Sequence, residues 1–307
     1  MNASTSTRLR NAGPPPEPGL VVVDKPSGMS SHDVVSRVRR AFGTRKVGHA
    51  GTLDPMATGV LVVGVERATK MLGLLALETK SYTATIRLGE ATTTDDAEGE
   101  TLSVADASGV TDAELASGVA ALTGEIDQVP AAVSAVKIDG RRAYLRVRDG
   151  ETVEIPPRRV TVSRLDVTAV RREGAHVDVD VAVDCSSGTY VRALARDLGA
   201  GLGVGGHLTA LRRTAVGPFG LDIARTLDEL AEHPTLSLDV DAAARVCFPA
   251  RAVTEEEAAG LAHGRWLPAR GDAGVVAAVA PDGRVAALLE ESGERAAPVM
   301  VVRPAGL

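Results

Sequence analysis

The sequence predicts an α/β (α+β) protein, because strand-type and helix-type patterns recur in turn along its 307 residues. In residues 177–183 valine occupies every second position, which is the pattern of a half-buried strand. Residues 82–88 alternate in the same way. In residues 31–42 the valines and Phe42 recur at helical spacing and fall on one face.

The first part of the chain predicts a tail, a strand, a helix and a second strand. Residues 1–18 contain four prolines and few apolar side chains, so we expect them to be disordered. The apolar run 20–23 predicts a strand, and Ser31 is expected to cap the helix that follows. Residues 61–65 then predict a buried strand, and residues 69–77, rich in Leu and Met, predict a helix.

The middle of the chain predicts further helices and strands around a segment without clean periodicity, residues 125–156. A helix is expected at 113–122, a second one ends near Leu198, and a strand is expected at 208–216. Residues 201–206 satisfy the spacing G-x-G-x-x-G. A helix precedes them, whereas a dinucleotide fingerprint needs a strand there, so we predict a flexible connection and no bound dinucleotide.

The C-terminal part changes character near residue 242, where acidic helix gives way to short apolar runs separated by Pro and Gly. Three of these runs read as strands, at 277–280, 285–289 and 299–302. Their spacing predicts a small β-barrel of about sixty residues. We therefore place a separate domain at residues 243–307.

Composition is that of a globular protein, with 44% hydrophobic and 24% charged residues. No apolar run approaches the length that spans a bilayer, and no secretory signal precedes the prolines. The two cysteines, Cys185 and Cys247, lack the spacing of metal ligands. We therefore expect a cytoplasmic protein that has no membrane partner and binds no metal.

The net charge of −6 argues mildly against nucleic acid as a partner, since RNA-binding proteins usually carry a basic surface. The charge is unevenly distributed, however. Residues 31–49 contain five basic side chains and one acid, and residues 141–172 contain nine arginines and four acids. Such basic strips can hold phosphates, although a single charge run is more often a solvated face.

Asp54 is the carboxylate that the residue pattern singles out. Gly48, Gly51 and Gly59 surround it, and Pro55 fixes the turn that leads into the strand at 61–65. A carboxylate on such a rigid turn is well placed for chemistry. An Asx-turn, in which Asp54 only caps its own backbone, is an equally good interpretation of the pattern alone.

Five motifs in series extend this pattern across residues 19–220. Together they resemble the TruB family, the bacterial tRNA pseudouridine-55 synthases, which implies the pseudouridine synthase fold: a mixed, largely antiparallel sheet flanked by helices. The motifs are Lys25-Pro26-Ser27-Gly28, Gly48-His49-Ala50-Gly51-Thr52-Leu53-Asp54-Pro55, Lys80-Ser81-Tyr82, Cys185-Ser186-Ser187-Gly188-Thr189-Tyr190-Val191-Arg192 and Leu211-Arg212-Arg213.

The resemblance also implies a domain organisation. Residues 19–242 would form the catalytic domain, with an RNA-clamping insertion at about 125–156, and residues 243–307 would resemble the PUA-type RNA-binding module. A structural appendage is nearly as good an interpretation of that last segment. Gln128-Val129-Pro130 and the segment 134–137 match the insertion, but Val133 stands where the family commonly has a tyrosine, which puts a stacking contact there in doubt.

The resemblance assigns roles to individual residues. Asp54 would be the nucleophile, Arg192 would hold it ionised by lowering its pKa, and Tyr82 would stack on the uracil and take part in proton transfer. Lys25 fits a phosphate or structural contact better than a catalytic one. The remaining substrate-side positions are His49, Tyr190, Leu211 and Asp96, the last in a Thr-rich loop that would support the site.

The reaction that the resemblance implies is the isomerisation of the T-loop uridine in tRNA, which needs no redox or energy input and so no cofactor. The enzyme would act as a monomer and flip the uridine out of the T-arm. Two other functions stay open: a related synthase guided to another RNA, and a non-catalytic chaperone of the T-arm. A glycosidase using Asp95 and Asp96 is a poor fit, because adjacent side chains on an extended loop point apart.

Overall fold

The computed structural model describes residues 14–131 and 155–306, together with the backbone of residues 137–138 and 141–142. The helices, in chain order, are α1 (Ser31–Ala41), α2 (Leu72–Leu75), α3 (Asp112–Ala121), α4 (Val191–Gly201), α5 (Leu227–Glu232), α6 (Val240–Cys247) and α7 (Glu255–Ala262). Two 3₁₀ helices span Glu66–Met71 and Leu221–Ile223.

The strands alternate with these helices along the chain. In chain order they are β1 (Gly19–Lys25), β2 (Val47–Ala50), β3 (Thr58–Val65), β4 (Lys80–Leu88), β5 (Glu90–Thr92), β6 (Thr101–Val104), β7 (Gly124–Gln128), β8 (Lys137–Ile138), β9 (Arg141–Arg142), β10 (Arg158–Glu173), β11 (His176–Cys185), β12 (Gly206–Val216), β13 (Phe219–Gly220), β14 (Leu238–Asp239), β15 (Ala250–Ala252), β16 (Leu267–Pro268), β17 (Val275–Val279), β18 (Val285–Ser292) and β19 (Arg295–Val301).

A large mixed sheet forms the body of the molecule, in the order β14-β1-β3-β12-β4-β11-β10-β7. Strand β13 pairs with β12, and β2 pairs with β3. The neighbours are antiparallel except for β3 and β12, which run parallel, with Thr58 opposite Arg212 and Gly59 opposite Arg213. The predicted mixed, largely antiparallel sheet is therefore confirmed.

The strands predicted from alternation bury one face and expose the other. In β11 the valines are buried and the residues between them are half-buried, and β4 alternates likewise. The buried face packs on α3 and α4 in one apolar cluster that includes Ile86, Val179, Leu194 and Leu198. Residues 20–23 do not alternate in this way, because both faces of β1 are covered.

The two faces of β1 and β3 belong to two separate cores. On one side Val21, Val23 and Leu61 pack with α1 and α5. On the other side Leu20 and Val22 pack with α2, with α6 and with apolar side chains of β17, β18 and β19. A strand buried on both faces reads as a continuous apolar run, which is why the sequence shows no alternation there.

Several boundaries differ from the sequence-based expectations. The N-cap of α1 is Ser30, not Ser31, and Ser30 forms a capping box with Asp33. Residues 69–77 form the end of a 3₁₀ helix and one short α-helix rather than a single helix. The strands β7 and β10 were not predicted, because β10 exposes most of its sixteen residues and carries charges at many positions.

The C-terminal part forms a second sheet of five strands in the order β15-β17-β18-β19-β16. It packs against the body, since Ala277, Leu288 and Met300 share a core with β1 and β3. The predicted strands there are confirmed. The likeness to a PUA module and the division at residue 242 stay predictions.

The described basic side chains of both strips lie at the surface. Four of the five arginines of β10 are paired with acids, among them Arg159 with Glu125 and Arg171 with Asp180. The side chains of those four arginines are nevertheless 39–61% exposed, and the structure does not describe the side chains at 141, 142, 146 and 148, so a phosphate-holding role for this strip stays a prediction. The basic residues of segment 31–49 are exposed.

Some predictions lie outside the described residues or concern the membrane. The tail 1–13, Val133 and the segment 134–136 are not described, and the insertion 125–156 is described only in part. Of the helices that the structure describes, none combines the length and the apolar character that crossing a bilayer requires.

Gly59 gives a test of the β3–β12 contact. Its φ is +98°, and a Cβ there would lie 2.1 Å from the carbonyl oxygen of Arg213. Because a strained φ costs about 1–3 kcal/mol and the clash adds to it, we expect Gly59→Ala to lower the free energy of unfolding by about 2–4 kcal/mol. Urea denaturation measures this.

Gly73 is the control for that substitution, because it lies in α2 with nothing within 4 Å of its Cβ position. We expect Gly73→Ala to leave stability unchanged or raise it by up to about 1 kcal/mol. An unchanged midpoint for Gly59→Ala would mean that β12 does not approach β3 this closely.

Candidate active site

The turn that carries Asp54 lies between β2 and β3 and is held by the start of α1 and by the loop before it. Ser31 Oγ accepts a hydrogen bond from Leu53 N at 2.9 Å and donates one to Leu53 O at 3.1 Å. Gly28 N donates to Pro55 O at 2.9 Å. The backbone is therefore fixed on both sides of Asp54, so that its carboxylate projects from a rigid support.

Lys25 supports the same turn. Its side chain is fully buried, and Nζ donates to Pro26 O at 2.9 Å, Met29 O at 2.6 Å and Pro55 O at 3.1 Å. Burial lowers the pKa of the Lys25 ammonium to about 8, and the nearby Asp54 opposes this shift. These contacts favour the structural role that the sequence left open over a phosphate contact.

Arg192 lies between two carboxylates. It belongs to the first turn of α4 and is buried; its Nε is 3.0 Å from Asp54 Oδ2, and its Nη1 is 3.1 Å from Asp96 Oδ2. Nη1 also donates to Thr94 O at 2.9 Å. The guanidinium therefore holds Asp54 while being held by the loop that contains Asp96.

Asp96 is itself fixed by its loop. Thr94 Oγ1 donates to Asp96 Oδ1 at 2.5 Å, and Glu98 N donates to the same oxygen at 3.1 Å. Leu208 N of β12 donates to Asp95 O at 3.0 Å, which anchors this loop to the sheet. Asp96 is 2% exposed and contacts the far side of Arg192, so it supports Arg192 from behind.

The pKa of the Asp54 carboxyl is raised overall, although Arg192 lowers it as expected. Burial is the largest cause and raises the pKa; Arg192 lowers it, and the negative charge of Asp96 raises it again. The sequence identifies the arginine, but it does not show how far the Asp54 carboxyl is buried. Arg192 limits the effect of burial without reversing it.

A cavity of about 270 Å³ opens in front of Asp54. Among the residues that line it are five of the predicted site residues: Asp54, Tyr82, Tyr190, Arg192 and Leu211. Lys80 and Arg213 also contribute to its wall. The motifs at 48–55, 80–82, 185–192 and 211–213 therefore meet at one place.

Three predicted residues do not line this cavity. Lys25 is buried beneath the turn, and Asp96 lies behind Arg192. His49 lies in β2, half-buried and opposite Val63 of β3. Their roles as substrate contacts stay predictions.

Two further residues, Gln128 and Arg213, hold parts of the site in place, although the sequence predicts no role for either. Gln128, 1% exposed, donates from Nε2 to Tyr190 O at 3.0 Å and accepts from Tyr190 N at 2.7 Å, which fixes the start of α4. Arg213 donates from Nε to Val60 O at 2.7 Å and from Nη2 to Gly51 O at 2.9 Å. Strand periodicity already placed Arg213 on the same face as Leu211, two residues before it.

The arrangement suits chemistry on a flat ring. A carboxylate on a rigid turn can attack carbon or accept a proton, the adjacent guanidinium orients it, and a tyrosine ring forms part of the wall. In Tyr82, burial raises the pKa of the hydroxyl, while Arg213 acts in the opposite direction.

Family models cover most of the chain. Residues 39–191 match the N-terminal domain of the TruB family of pseudouridylate synthases. Residues 192–244 match the C-terminal domain of tRNA pseudouridylate synthase B, and residues 248–303 match the C-terminal model of tRNA pseudouridine synthase II.

Relatives named tRNA pseudouridine synthase B match along nearly the whole length. The protein from Rhodococcus jostii is 67% identical over 290 residues, covering 94% of this chain and 95% of that one. The protein from Nocardia farcinica is 68% identical over 289 residues, covering 94% of each chain. The protein from Corynebacterium diphtheriae is 60% identical and covers 94% of this chain and 97% of that one.

Solved structures share the fold at lower identity. A chain in an H/ACA RNP bound to a substrate RNA containing 2′-deoxyuridine superposes with a TM-score of 0.69 at 25% identity, covering 94% of this chain and 86% of that chain. A chain in a Cbf5-Nop10-Gar1 complex gives a TM-score of 0.70 at 25% identity, covering 93% and 85%.

The raised pKa of Asp54 predicts that this carboxylate costs stability when ionised. A carboxyl whose pKa is higher in the folded chain favours folding at low pH, and that contribution is lost as pH rises through the folded pKa. We therefore expect Asp54→Asn to unfold at a higher urea concentration than the unsubstituted protein at pH 7. The advantage should shrink as pH falls toward 3.8.

Asp178 is the control of opposite sign, because its hydrogen bond to Arg87 lowers its pKa. Asp178→Asn should therefore destabilise the protein at pH 7. If Asp54→Asn were also less stable at pH 7, the attraction of Arg192 for Asp54 would outweigh the cost of burial.

Proposed function

The chain belongs to the TruB family of pseudouridylate synthases, and on that premise we propose that it isomerises the T-loop uridine of tRNA with Asp54 as the nucleophile. The observation that carries the proposal is the Asp54 carboxylate, held 3.0 Å from Arg192 at the wall of a cavity of about 270 Å³. The reaction moves the base from a C–N to a C–C bond, so atoms are conserved and no cofactor is required.

The cavity fits a base that has been taken out of its stack. A uridine inside a folded T-loop must be flipped out before a side chain can reach it, at a cost of about a few kcal/mol. The aromatic rings of Tyr82 and Tyr190 and the apolar Leu211 line the space that such a base would enter. We assign Tyr82 to stacking and proton transfer, and Tyr190 and Leu211 to the walls of the base site.

In the proposed reaction the glycosidic C1′–N1 bond breaks and its electron pair leaves with the base. The base turns, C5 bonds to C1′, the proton on C5 is released to water, and N1 takes up a proton. Asp54 acts as a nucleophile or accepts a proton from the sugar, and both roles need the ionised carboxylate. Arg192 holds that carboxylate in one orientation, and Asp96 holds Arg192.

The choice of tRNA as substrate is supported by the relatives. Proteins 60–68% identical to this chain are named tRNA pseudouridine synthase B. The structures of H/ACA complexes are 25% identical, which favours a stand-alone tRNA enzyme over a guided one. We further propose that it acts as a monomer in the cytoplasm.

The direct test uses a T-arm RNA that carries tritium at C5 of its loop uridines. Since forming pseudouridine replaces the C5–H bond, activity releases tritium to water. We expect release by the unsubstituted protein without added metal or nucleotide, and loss of all release in Asp54→Asn. Asp112→Asn is the control, because Asp112 lies in α3 and pairs with Arg172 outside the cavity.

Each result of this test has a distinct meaning. Release by Asp54→Asn would remove Asp54 from the mechanism. If the unsubstituted protein bound the RNA but released no tritium, a role as a chaperone of the T-arm would replace the proposed one. Release from an RNA whose uridine had been moved within the loop would refute the preference for the T-loop position.

The pH dependence of the rate gives a second prediction. Because Asp54 must be ionised, kcat/KM should rise with pH through the pKa of Asp54, which lies above 3.8. The charge of Asp96 raises that pKa, so Asp96→Asn should move the acidic limb to lower pH. The position of this acidic limb is measured from the rate of tritium release between pH 4 and pH 8.

Asp95→Asn is the matched control for this profile, because Asp95 is adjacent in sequence but pairs with Arg196. It should leave the limb in place. A limb that stays fixed in Asp96→Asn while the rate falls at every pH would show that Asp96 acts only by holding the loop.

A further inference from the structure

Arg213 is a buried cation at the wall of the cavity that contains Asp54. It is 1% exposed, although it carries a full positive charge. Its guanidinium is held by two backbone carbonyls, Val60 O at 2.7 Å and Gly51 O at 2.9 Å. The first carbonyl belongs to β3 and the second to the segment that leads to Asp54, so the cation is fixed relative to the nucleophile.

Arg213 differs from the other buried arginines in its partners. Arg192 and Arg251, which are also buried, each contact two carboxylates. In the part of the chain that the structure describes, none of the ion pairs includes Arg213. Carbonyl oxygens satisfy its hydrogen bonds but do not neutralise its charge, and burying an uncompensated charge is costly.

The charge of Arg213 acts on the groups around the cavity. It lowers the pKa of Asp54 and of Tyr82, against the effect of burial on both groups. It also lowers the pKa of Lys80, in the same direction as burial. Tyr82 lies opposite Arg213 in the pairing of β4 with β12, and both side chains line the cavity.

The proposed reaction places negative charge in this cavity. When the C1′–N1 bond breaks, its electron pair goes to the base and leaves a uracil anion between Asp54 and Tyr82. Fixed donors and cations directed at the place where charge develops give the largest single contribution to many enzymatic rates. In either route Asp54 gives up its own negative charge, so the charge moves from Asp54 to the base.

We propose that Arg213 is a further catalytic residue, which stabilises the uracil anion formed on glycosidic cleavage directly at the cavity wall. The proposal rests on the proposed function. The step is balanced: C1′–N1 breaks, its electron pair stays on the base, and C1′ receives electrons from Asp54 or from its own C2′–H bond. Arg213 gains and loses no bond to carbon.

The test compares two bases that differ in the stability of their anion. T-arm RNAs are prepared with tritium at C5 of either uridine or 4-thiouridine at the target position, because sulfur accommodates negative charge better than oxygen. Single-turnover rates are then measured with saturating enzyme, so that RNA affinity does not enter. We expect Arg213→Gln to slow the uridine RNA by about 10²-fold, as loss of an oxyanion donor does.

The rate with 4-thiouridine should fall by a clearly smaller factor, because its anion needs less stabilisation. Arg213→Lys keeps the charge but not the planar fork of donors, so its ratio of 4-thiouridine to uridine rates should lie between those of the unsubstituted enzyme and Arg213→Gln. Arg212→Gln is the matched control, since Arg212 pairs with Asp24 and does not line this cavity. It should leave the ratio of the two rates unchanged.

The outcomes separate the two proposals. If both RNAs slow by the same factor in Arg213→Gln, Arg213 only holds Gly51 and Val60 in place, and the proposal fails. If Arg213→Gln does not fold, Arg213→Lys decides: a uridine rate that falls by a larger factor than the 4-thiouridine rate supports the proposal, and an unchanged ratio of the two rates overturns it. Absence of release from uridine RNA by the unsubstituted protein would instead refute the proposed function.

Discussion

The shared contact of Arg192 with Asp54 and Asp96 is the interaction on which the geometry of the site depends. A buried guanidinium needs compensating charge, and here two carboxylates supply it from two different loops. Asp96 is fully held by hydrogen bonds within its loop, whereas Asp54 remains partly exposed to the cavity. The inner carboxylate therefore fixes the arginine, and the arginine fixes the outer carboxylate.

The sheet makes this contact possible by bringing distant parts of the chain to one edge of the cavity. Tyr82 comes from β4, Leu211 and Arg213 come from β12, and Arg192 opens the helix that follows β11. Register between β4, β11 and β12 is set by the buried face that packs on α3 and α4, because a slip of one residue would turn every apolar side chain to solvent. Apolar packing thus determines where the polar groups meet.

The sequence predicted those parts of the fold and of the site that local patterns encode. Alternation revealed β4 and β11, and the motifs identified five of the residues that line the cavity. The lowering of the Asp54 pKa by Arg192 was predicted, but the larger and opposite effect of burial was not, because burial depends on tertiary packing that no local pattern displays. Strand β10 was missed because its arginines read as a basic strip, while their acidic partners lie on other elements.

The parallel pairing of β3 and β12 explains why Gly59 and Arg213, which are far apart in sequence, both contribute to the geometry of the site. Strand β3 begins just after the Asp54 turn, and β12 runs beside it in the same direction, so Gly59 lies opposite Arg213. A side chain at Gly59 would meet the backbone of Arg213, and only its absence allows the two strands to approach so closely. That approach carries the Arg213 guanidinium to the Gly51 carbonyl, which immediately precedes the turn. The position of the positive charge relative to Asp54 therefore follows from backbone packing, and not from a direct bond between the two side chains.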